Sequence, residues 1–393
     1  MEANGLKLLS FIPMWEMFLV IFTRKGLNIS NLSVTAKPTG IANMIGNKGG
    51  VVATFKVQET SFCFLSCHLA ARPQNVLTRN QNAKDLFSIK FEHLDLDFTT
   101  EFDYLFWFGD LNYRLDKEYN TTVEMLASGA YRELRDCDQL LKEQIANRSF
   151  VNFQEGQLNF PPTYRYIRLK NEWSNKRNQT PSWTDRILYR SFREVCLLNY
   201  EAALNCMASD HRPVSAEFSV EVNPWFVPAV LPRPGEDPLF AVVEFTELEV
   251  ACEDLAGATH GQVVFFAPFL QSTPSTPQFG VTGPEIQHSL QEKEIPILTS
   301  AVADFRYLRE QRVIVALYLS TKDRTDVAGL ASLPLFPLFS SSIQTTAQID
   351  PRSTFISDEF PEFEAVLESA GRRVGSVQGR WNFSLCHKSQ QDH

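Results

Sequence analysis

The sequence lacks the features of a secreted, membrane-spanning or nucleic-acid-binding protein. Its seven cysteines are odd in number and form no Cys-x-x-Cys pair, so a disulfide framework or a zinc site is not expected and a reducing compartment fits best. The one membrane-like stretch, residues 8–22, is shorter than the roughly 20 apolar residues of a membrane span, and Pro13 and Glu16 interrupt it. The net charge is −9, which argues against a broad nucleic-acid-binding surface.

The sequence does contain enough apolar material for two domains. Of its 393 residues, 44% are apolar and 12% are aromatic, and a domain usually spans about 100–200 residues. Short β-branched runs predict strands and helical spacing predicts helices, so the first half should form packed sheets flanked by helices. The predicted strands are residues 18–23, 50–57, 61–68, 103–108 and 214–220, and the predicted helices are residues 79–91, 122–127 and 137–146.

A change of composition divides the chain. Residues 223–237 carry four prolines, and this predicts a stiff linker because proline cannot donate to a sheet ladder. The first domain is therefore expected at residues 1–222. The second, an all-β sandwich, is expected at residues 238–386, with a tail at 387–393. Its predicted strands are residues 239–252, 261–269 and 311–320.

The segment most suited to chemistry follows the apolar run at residues 103–108. Asp110 and Asn112 lie at positions i and i+2, so their side chains would share one face of an extended chain. A carboxylate and an amide presented together suit a water molecule or a hard metal ion. Gly-Asp and Asn are also ordinary turn residues, so a site and a simple turn are both open interpretations.

Three further polar groups are candidates. His211 stands beside Asp210, which permits a carboxylate-oriented imidazole that donates to a phosphoryl oxygen. Asp185 stands beside Arg186, where a surface salt bridge is the plain alternative. His68 ends an apolar strand, where a satisfied core histidine is the commoner outcome.

Two segments suggest anion binding. Residues 46–50 form a glycine-rich loop that carries Lys48, although a hairpin turn explains the loop equally. Residues 164–193 contain eight basic residues against two acids, a net charge of +6 within an acidic chain, and aromatic residues are interleaved with them. A solvated charged face is the default explanation for such a run, but the aromatic residues favour an anion-binding site.

Read in order, these elements resemble the catalytic domain of the inositol polyphosphate 5-phosphatases, within the endonuclease–exonuclease–phosphatase superfamily. The resemblance covers about residues 9–220, and the Pro-Pro-Thr-Tyr-Arg variant is typical of the branch that acts on phosphatidylinositol trisphosphate. The motifs are Gly-Asn-Lys-Gly-Gly at 46–50, His-Leu-Ala-Ala at 68–71, Arg-Asn at 79–80, Trp-Phe-Gly-Asp-Leu-Asn-Tyr-Arg at 107–114, Pro-Thr-Tyr-Arg-Tyr at 162–166, Pro-Ser-Trp-Thr-Asp-Arg at 181–186 and Ser-Asp-His-Arg-Pro at 209–213.

The resemblance implies an α+β, DNase I-like fold, a two-sheet β-sandwich flanked by helices, and a magnesium-dependent phosphoric monoester hydrolase. Asp110 and Asn112 would activate the attacking water, and Asp210 would orient His211. The substrate would be a phosphoinositide or an inositol polyphosphate that loses its 5-phosphate. His211 and His68 would contact the scissile phosphate, and Asp185 would belong to the polar floor of the site. Asn47 and Lys48 would contact the 1-phosphate. The 4-phosphate would be contacted by Tyr164, Arg165 and Arg186, and Arg114 would also bind substrate.

The chain departs from the family at its start. Family members begin with a Trp-Asn strand and a Gln-Glu motif whose Glu binds the magnesium, and neither precedes Leu9 here. We therefore expect a first domain that lacks its first strands and has an exposed sheet edge, and the metal ligands are unknown. The main hypothesis is the phosphatase, and the alternative is a catalytically impaired inositide-binding module. A nuclease is disfavoured by the net acidity.

Residues 239–335 resemble a C2 domain less specifically. Asp254, Asp323 and Asp326 are fewer than the aspartates of a full calcium site, so calcium-independent behaviour is expected. The protein should be cytoplasmic and peripheral at membranes, and should not bind nucleic acid. Residues 234–292 hold nine acids and no Lys or Arg, so the first domain should lead any approach to an anionic membrane.

Overall fold

The computed structural model describes residues 5–40, 48–91, 98–223, 239–255, 257–300, 302–340, 355–356 and 360–387. Two compact units divide the chain, Met1–Trp225 with Ala370–Arg372 and Phe226–Ser369 with Arg373–His393. The division falls within the predicted linker, residues 223–237, most of which lies outside the described residues.

The first unit is mostly sheet. Its strands are β1 (Leu6–Met14), β2 (Met17–Arg24), β3 (Ile29–Pro38), β4 (Gly49–Val57), β5 (Thr60–His68), β6 (Tyr104–Asp110), β7 (Gln154–Glu155), β8 (Asp185–Ser191), β9 (Val195–Ala202) and β10 (Val214–Val220). Six of them form the central sheet in the order β3-β4-β5-β6-β8-β7. Within it β5 and β6 are parallel, whereas β6 and β8 are antiparallel. All five strands predicted in this half of the chain are confirmed.

Both faces of the central sheet are covered, as the sequence of β4 requires. Its successive residues Val51, Val52 and Ala53 are all buried, and successive strand residues point to opposite faces. Val52 belongs to the cluster with Leu86 of a helix, whereas Val51 and Ala53 pack with Leu19 of β2. An uninterrupted apolar run is the signature of a strand buried on both sides.

Two hairpins form the second layer of the sandwich. Strands β1 and β2 pair with each other, as do β9 and β10, and among the described strands each hairpin is a separate two-stranded sheet. The β1–β2 hairpin packs near Phe64 and Phe108, and the ring of Phe218 of β10 packs at a tilt against Phe106 with centroids 4.9 Å apart. The predicted two-layer α+β sandwich is confirmed.

Four helices belong to this unit: α1 (Val76–Phe87), α2 (Tyr119–Ala127), α3 (Tyr131–Arg135) and α4 (Gln139–Ile145). Leu86 of α1 and Leu140 of α4 pack with Val52 on the other face of the central sheet, whereas Leu126 of α2 and Leu134 of α3 pack with Val214 of β10. Helix α1 lies three to four residues earlier than the sequence predicted. Asp138 caps α4, where its carboxylate accepts a hydrogen bond from the Leu141 N–H at 3.0 Å. No helix in the described ranges is long and apolar enough to cross a membrane.

The second unit is an antiparallel sheet that curls over one core. Its core includes Phe245, whose ring centroid lies 5.4 Å from that of Phe265 and 5.8 Å from that of Trp381. The elements are β11 (Leu239–Cys252), β12 (His260–Phe266), β13 (Phe279–Gly280), β14 (Ile286–Gln291), β15 (Leu298–Thr299), α5 (Phe305–Leu308), β16 (Arg312–Ser320), β17 (Thr325–Pro334), α6 (Phe336–Ser340), β18 (Phe355–Ile356), β19 (Glu362–Ser369) and β20 (Arg372–His387). The sheet order is β13-β12-β16-β17-β19-β20-β11-β14, with β15 beside β11 and β18 beside β20. Its likeness to a C2 domain stays a prediction.

Candidate active site

Sheet register brings three predicted site residues into one row. His68 at the end of β5 pairs with Asp110 at the end of β6, and Asp110 pairs with Asp185 at the start of β8. Because β5 and β6 run parallel and β8 runs antiparallel to them, two strand ends and one strand start meet at the same edge. Gly49, the neighbour of Lys48, pairs with His68 and extends the row.

The turn after β6 shapes the Asp110 carboxylate site. Gly109 has φ +124°, and a Cβ added there would lie 2.2 Å from the Cys67 carbonyl oxygen, so this position requires glycine. Asn112 also has positive φ, 59°, instead of the predicted extended conformation. Its backbone N–H donates to Asp110 Oδ1 at 3.1 Å and its Nδ2 donates to Oδ2 at 3.0 Å. The segment is therefore a turn that also builds the site.

The Asp110 carboxylate is held in its charged form. Burial opposes ionisation, but the hydrogen bond from His68 and the charges of His211, His68 and Arg114 outweigh it and lower the pKa of Asp110. His68 Nε2 lies 3.1 Å from Asp110 Oδ2. This carboxylate can therefore accept a hydrogen bond from water at neutral pH.

Asp185 holds the imidazole of His211. His211 Nδ1 lies 2.9 Å from Asp185 Oδ2, and the Thr163 and Thr184 hydroxyls donate to the same oxygen at 2.7 and 2.9 Å. Burial works against the charged imidazole, but the hydrogen bond that His211 donates to Asp185 and the nearby carboxylate charges raise the pKa of His211. The two threonines were missed by the sequence reasoning, although both lie inside motifs that it singled out.

The expectation that Asp210 orients His211 is wrong. The Asp210 carboxylate lies 3.2 Å from Arg165 Nε and 3.7 Å from Arg168 Nη2. Asp210 lies in a bend before β10, not in a strand, and its carboxylate faces Arg165 instead of His211 Nδ1. The partner of His211 comes instead from a strand 26 residues away.

Lys48, which was expected to contact the 1-phosphate, lies beside His68 at one end of the row. Its amine contacts His68 Nε2. Burial lowers the pKa of Lys48, while the charges of Asp110 and Glu16 act in the opposite direction. Its predicted companion, Asn47, lies outside the described residues.

Arg114 is a second cationic group of the site and contacts the Asn112 amide oxygen. The buried Arg114 donates to Asn112 Oδ1 and stacks on the Tyr164 ring at 4.6 Å. The Tyr164 ring in turn lies 4.4 Å from the His211 ring. Arg114 Nη1 is buried and has no hydrogen-bond partner among the residues that the structure describes. A buried unsatisfied donor of this kind suits an anionic ligand oxygen.

The predicted phosphate contact of Arg186 is not supported by its position. Its side chain is 2% exposed and donates to Asp138 at 3.1 Å and to Glu155 at 2.6 Å. The guanidinium is thus committed to two buried carboxylates. Arg190 is buried as well, and Arg193, whose side chain is 8% exposed, pairs with Asp103 at 3.3 Å. The basic segment is therefore partly structural, not a single anion-binding surface.

A cavity of about 400 Å³ opens beside the row. Its polar wall includes Asp110, Asp185 and His211, and its apolar wall includes Phe108, Ile187 and Val214. His211 lies shortly before β10, separated from it by Arg212 and Pro213, so its bond to Asp185 joins the two layers of the sandwich at the cavity.

The oxygen donors of the site do not form a complete metal site. The Asp110 carboxylate and the Asn112 amide are of the hard-donor type that Mg²⁺ and Ca²⁺ prefer. In the described ranges, however, no group of three or more His, Cys, Asp or Glu side chains is placed to hold a metal ion.

The fold and the site together define a two-layer α+β sandwich with a carboxylate–imidazole site at the ends of its central strands. The chain belongs to the endonuclease/exonuclease/phosphatase family 2, whose model matches residues 5–217. The resemblance predicted from the ordered motifs is thereby confirmed.

Several phosphatidylinositol 3,4,5-trisphosphate 5-phosphatases are similar in sequence to this chain. Phosphatidylinositol 3,4,5-trisphosphate 5-phosphatase 2A of Danio rerio is 30% identical over 387 residues, 93% of this chain and 29% of that protein. The Homo sapiens phosphatidylinositol 3,4,5-trisphosphate 5-phosphatase 2 is 30% identical over 369 residues, 89% of this chain and 28% of that protein. This chain therefore spans less than a third of the length of these relatives.

One solved structure supports the same assignment. The inositol polyphosphate 5-phosphatase domain of SPsynaptojanin, in complex with inositol (1,4)-bisphosphate and a calcium ion, is 32% identical and aligns with a TM-score of 0.50. The alignment covers 55% of this chain and 63% of that one.

Proposed function

We propose that the first unit hydrolyses the 5-phosphate of a phosphoinositide or an inositol polyphosphate. The observation that carries the proposal is the row of His68, Asp110 and Asp185 with His211 held at its edge. The names of the relatives, which act on phosphatidylinositol 3,4,5-trisphosphate, support the substrate class.

The two ends of the site have different tasks. Asp185 holds Nδ1 of His211, and the charged imidazole can then donate from Nε2 to a phosphoryl oxygen. The ionised Asp110 can orient a water molecule and accept a proton from it as the water attacks phosphorus, and the Asn112 amide donates to the Asp110 carboxylate and holds it in place. The phosphorus–oxygen bond to the inositol 5-oxygen breaks, the leaving oxygen takes up a proton from solvent, and Asp110 returns its proton to solvent. The products are inorganic phosphate and an inositol alcohol.

Three cationic groups and one ring offer binding for the remaining phosphates. Lys48 lies beside His68, and Arg114 has a buried donor with no partner in the described part of the chain. Arg165 is 19% exposed and shares Asp210 with Arg168. Tyr164 stacks between Arg114 and His211, which closes one side of the site. We assign phosphate binding to Lys48, Arg114 and Arg165 and leave Arg186 out of this set.

Magnesium dependence is part of the proposal. The SPsynaptojanin domain carries a calcium ion, and the oxygen donors named above are of the right type for Mg²⁺. A bound Mg²⁺ would supply Lewis-acid polarisation of the phosphoryl group. A cytoplasmic location and peripheral contact with phosphoinositide membranes are proposed on the same basis, because that is where such a lipid substrate would be reached.

A second candidate function is an inositide-binding module with impaired turnover. The incomplete set of metal ligands in the described residues favours it. In this case the cationic groups would bind the headgroup, but release of phosphate would be slow or absent with Mg²⁺ present.

The experiment measures phosphate release and binding side by side. The chain, Asp110→Ala and His211→Ala are assayed with a soluble 5-phosphorylated inositol phosphate, with Mg²⁺ and with EDTA, and the exposed His260→Ala in the second unit is the control. The phosphatase predicts turnover that falls roughly 10²–10⁴-fold in the two site variants and is unchanged in the control. Equal rates in all four proteins refute the phosphatase, and calorimetric binding without turnover favours the binding module.

A further inference from the structure

Arg212 is a buried arginine whose partners are neutral. Its side chain is fully buried. Its Nη1 donates to the Ser209 and His211 carbonyls at 3.0 and 3.4 Å, and its Nη2 donates to the Lys170 carbonyl at 2.6 Å. The guanidinium lies over the Tyr166 ring at 3.9 Å. A buried charge is costly unless it is hydrogen-bonded, and Arg212 Nε has no hydrogen-bond partner among the described residues, so the guanidinium depends on its Nη contacts and on the Tyr166 ring.

These contacts join two segments that carry site residues. The first, residues 163–170, carries Tyr164 and Arg165 and is named the tyrosine segment here. The second, residues 207–212, carries His211 and is named the histidine segment. Arg212 donates hydrogen bonds to carbonyls of its own histidine segment and to the Lys170 carbonyl of the tyrosine segment, and it packs on the Tyr166 ring of the tyrosine segment.

Backbone hydrogen bonds run between the same segments. The Tyr166 N–H donates to the Asp210 carbonyl at 2.9 Å, the Leu169 N–H to the Met207 carbonyl at 2.8 Å, and the Arg212 N–H to the Thr163 carbonyl at 2.8 Å. The side chain of Arg212 lies beside this ladder and bonds the backbone on both sides of it. Removing the side chain should therefore loosen the register between the two segments.

The fork of the guanidinium suits this task. Its two terminal nitrogens donate in fixed, divergent directions while its face packs on a ring, whereas a lysine ammonium is a compact point charge on a flexible stem. The same charge on lysine would therefore not hold both segments in one geometry.

We propose that Arg212 is a positioning residue, which locks the tyrosine segment to the histidine segment and so sets His211 against Asp185 with Tyr164 stacked on its ring. The consequence for catalysis rests on the proposed function, but the lock itself is a property of the fold. Arg212 touches no reacting group, and it acts through the backbone of His211 and the neighbouring segment.

The variants separate this role from general stability. Arg212→Lys keeps the charge and loses the fork. Arg190→Met is the matched control, because Arg190 is also buried, packs over the Phe192 ring at 5.4 Å, and lies near the end of β8 opposite Asp185. Tyr166→Leu removes the ring under the guanidinium, and Tyr166→Phe retains it. The full chain is used throughout.

Three quantities are measured: hydrogen exchange of the Tyr166 and Leu169 amides, affinity for inositol (1,4)-bisphosphate by calorimetry, and kcat and KM for a soluble 5-phosphorylated inositol phosphate. In Arg212→Lys we expect faster hydrogen exchange at the two amides and a higher dissociation constant for inositol (1,4)-bisphosphate. We expect kcat to fall by roughly 10²-fold, because a misplacement of about 1 Å produces a loss of that size. Arg190→Met should lower only the thermal midpoint. Tyr166→Leu should follow Arg212→Lys in direction, and Tyr166→Phe should behave as the parent.

Each outcome decides one question. Parent-like exchange and affinity in Arg212→Lys overturn the proposal, as does an equal change in Arg190→Met. If Arg212→Lys fails to fold, the Tyr166→Leu and Tyr166→Phe pair decides in its place, and identical exchange in those two overturns the proposal. A parent that shows no turnover refutes the proposed function alone, because exchange and affinity still report on the lock.

Discussion

Replacing Asp185 by asparagine tests the central contact of the site. The Asp185 carboxylate accepts hydrogen bonds from His211 Nδ1 and from two threonine hydroxyls on one of its oxygens. Asp185→Asn retains the shape of the side chain and removes its charge. The variant should therefore lower the pKa of His211, because the contact that raises this pKa is weakened.

The magnitude follows from the type of contact. A hydrogen bond to a charged group contributes about 1.5–3 kcal/mol, and about 1.36 kcal/mol corresponds to a tenfold change in rate. If His211 stabilises the transition state through this contact, kcat/KM should fall by roughly 10- to 150-fold.

The effect on stability depends on pH with a definite sign. The pKa of His211 is raised in the folded protein. The protonated imidazole therefore stabilises the fold fully below the ordinary histidine pKa of about 6.5, and this contribution is lost as the pH rises through the folded value. Asp185→Asn should consequently destabilise the protein more at about pH 6 than at about pH 9.

Two assays check this reasoning. NMR titration follows the His211 imidazole, and urea unfolding gives the free energy of unfolding at both pH values. Asp210→Asn is the matched control, since Asp210 is adjacent in sequence but pairs with Arg165, and it should change the pKa of His211 less. An unchanged His211 pKa in Asp185→Asn, or an equal effect of the two variants, would refute the reasoning.

Three further predictions concern binding and stability. Arg165→Ala should weaken calorimetric binding of a soluble inositol phosphate by about 1.5–3 kcal/mol, whereas Arg168→Ala, at a side chain that is 72% exposed, should cost about 0–1 kcal/mol; similar losses would contradict the assignment. Arg186→Met leaves two buried carboxylates uncompensated and should cost about 3–5 kcal/mol of unfolding free energy, and a loss within error in urea unfolding would count against it. Gly109→Ala should lower the thermal midpoint clearly more than Gly129→Ala, because both have positive φ but only Gly109 has backbone within 3 Å of the new Cβ; equal shifts would contradict this.

Local patterns in the sequence were sufficient for the strands and for the family. The run before Gly109 predicts a strand because an uninterrupted apolar segment can only be buried on both faces, and β6 is that strand. Asp110 and Asn112 could be selected because polar residues directly after a buried strand must lie at its end. The ordered motifs identified the family, because their order and spacing can be recognised even where the rest of the sequence differs.

Tertiary structure alone decided which of these residues meet. Asp185 and not Asp210 faces His211, and Arg186 turns inward to Asp138 and Glu155 instead of outward to a ligand. Both outcomes depend on pairing between segments far apart in the chain. Register and the packing of two layers select such pairs through long-range contacts, whereas sequence neighbours in extended chain point to opposite sides and so are seldom the partners.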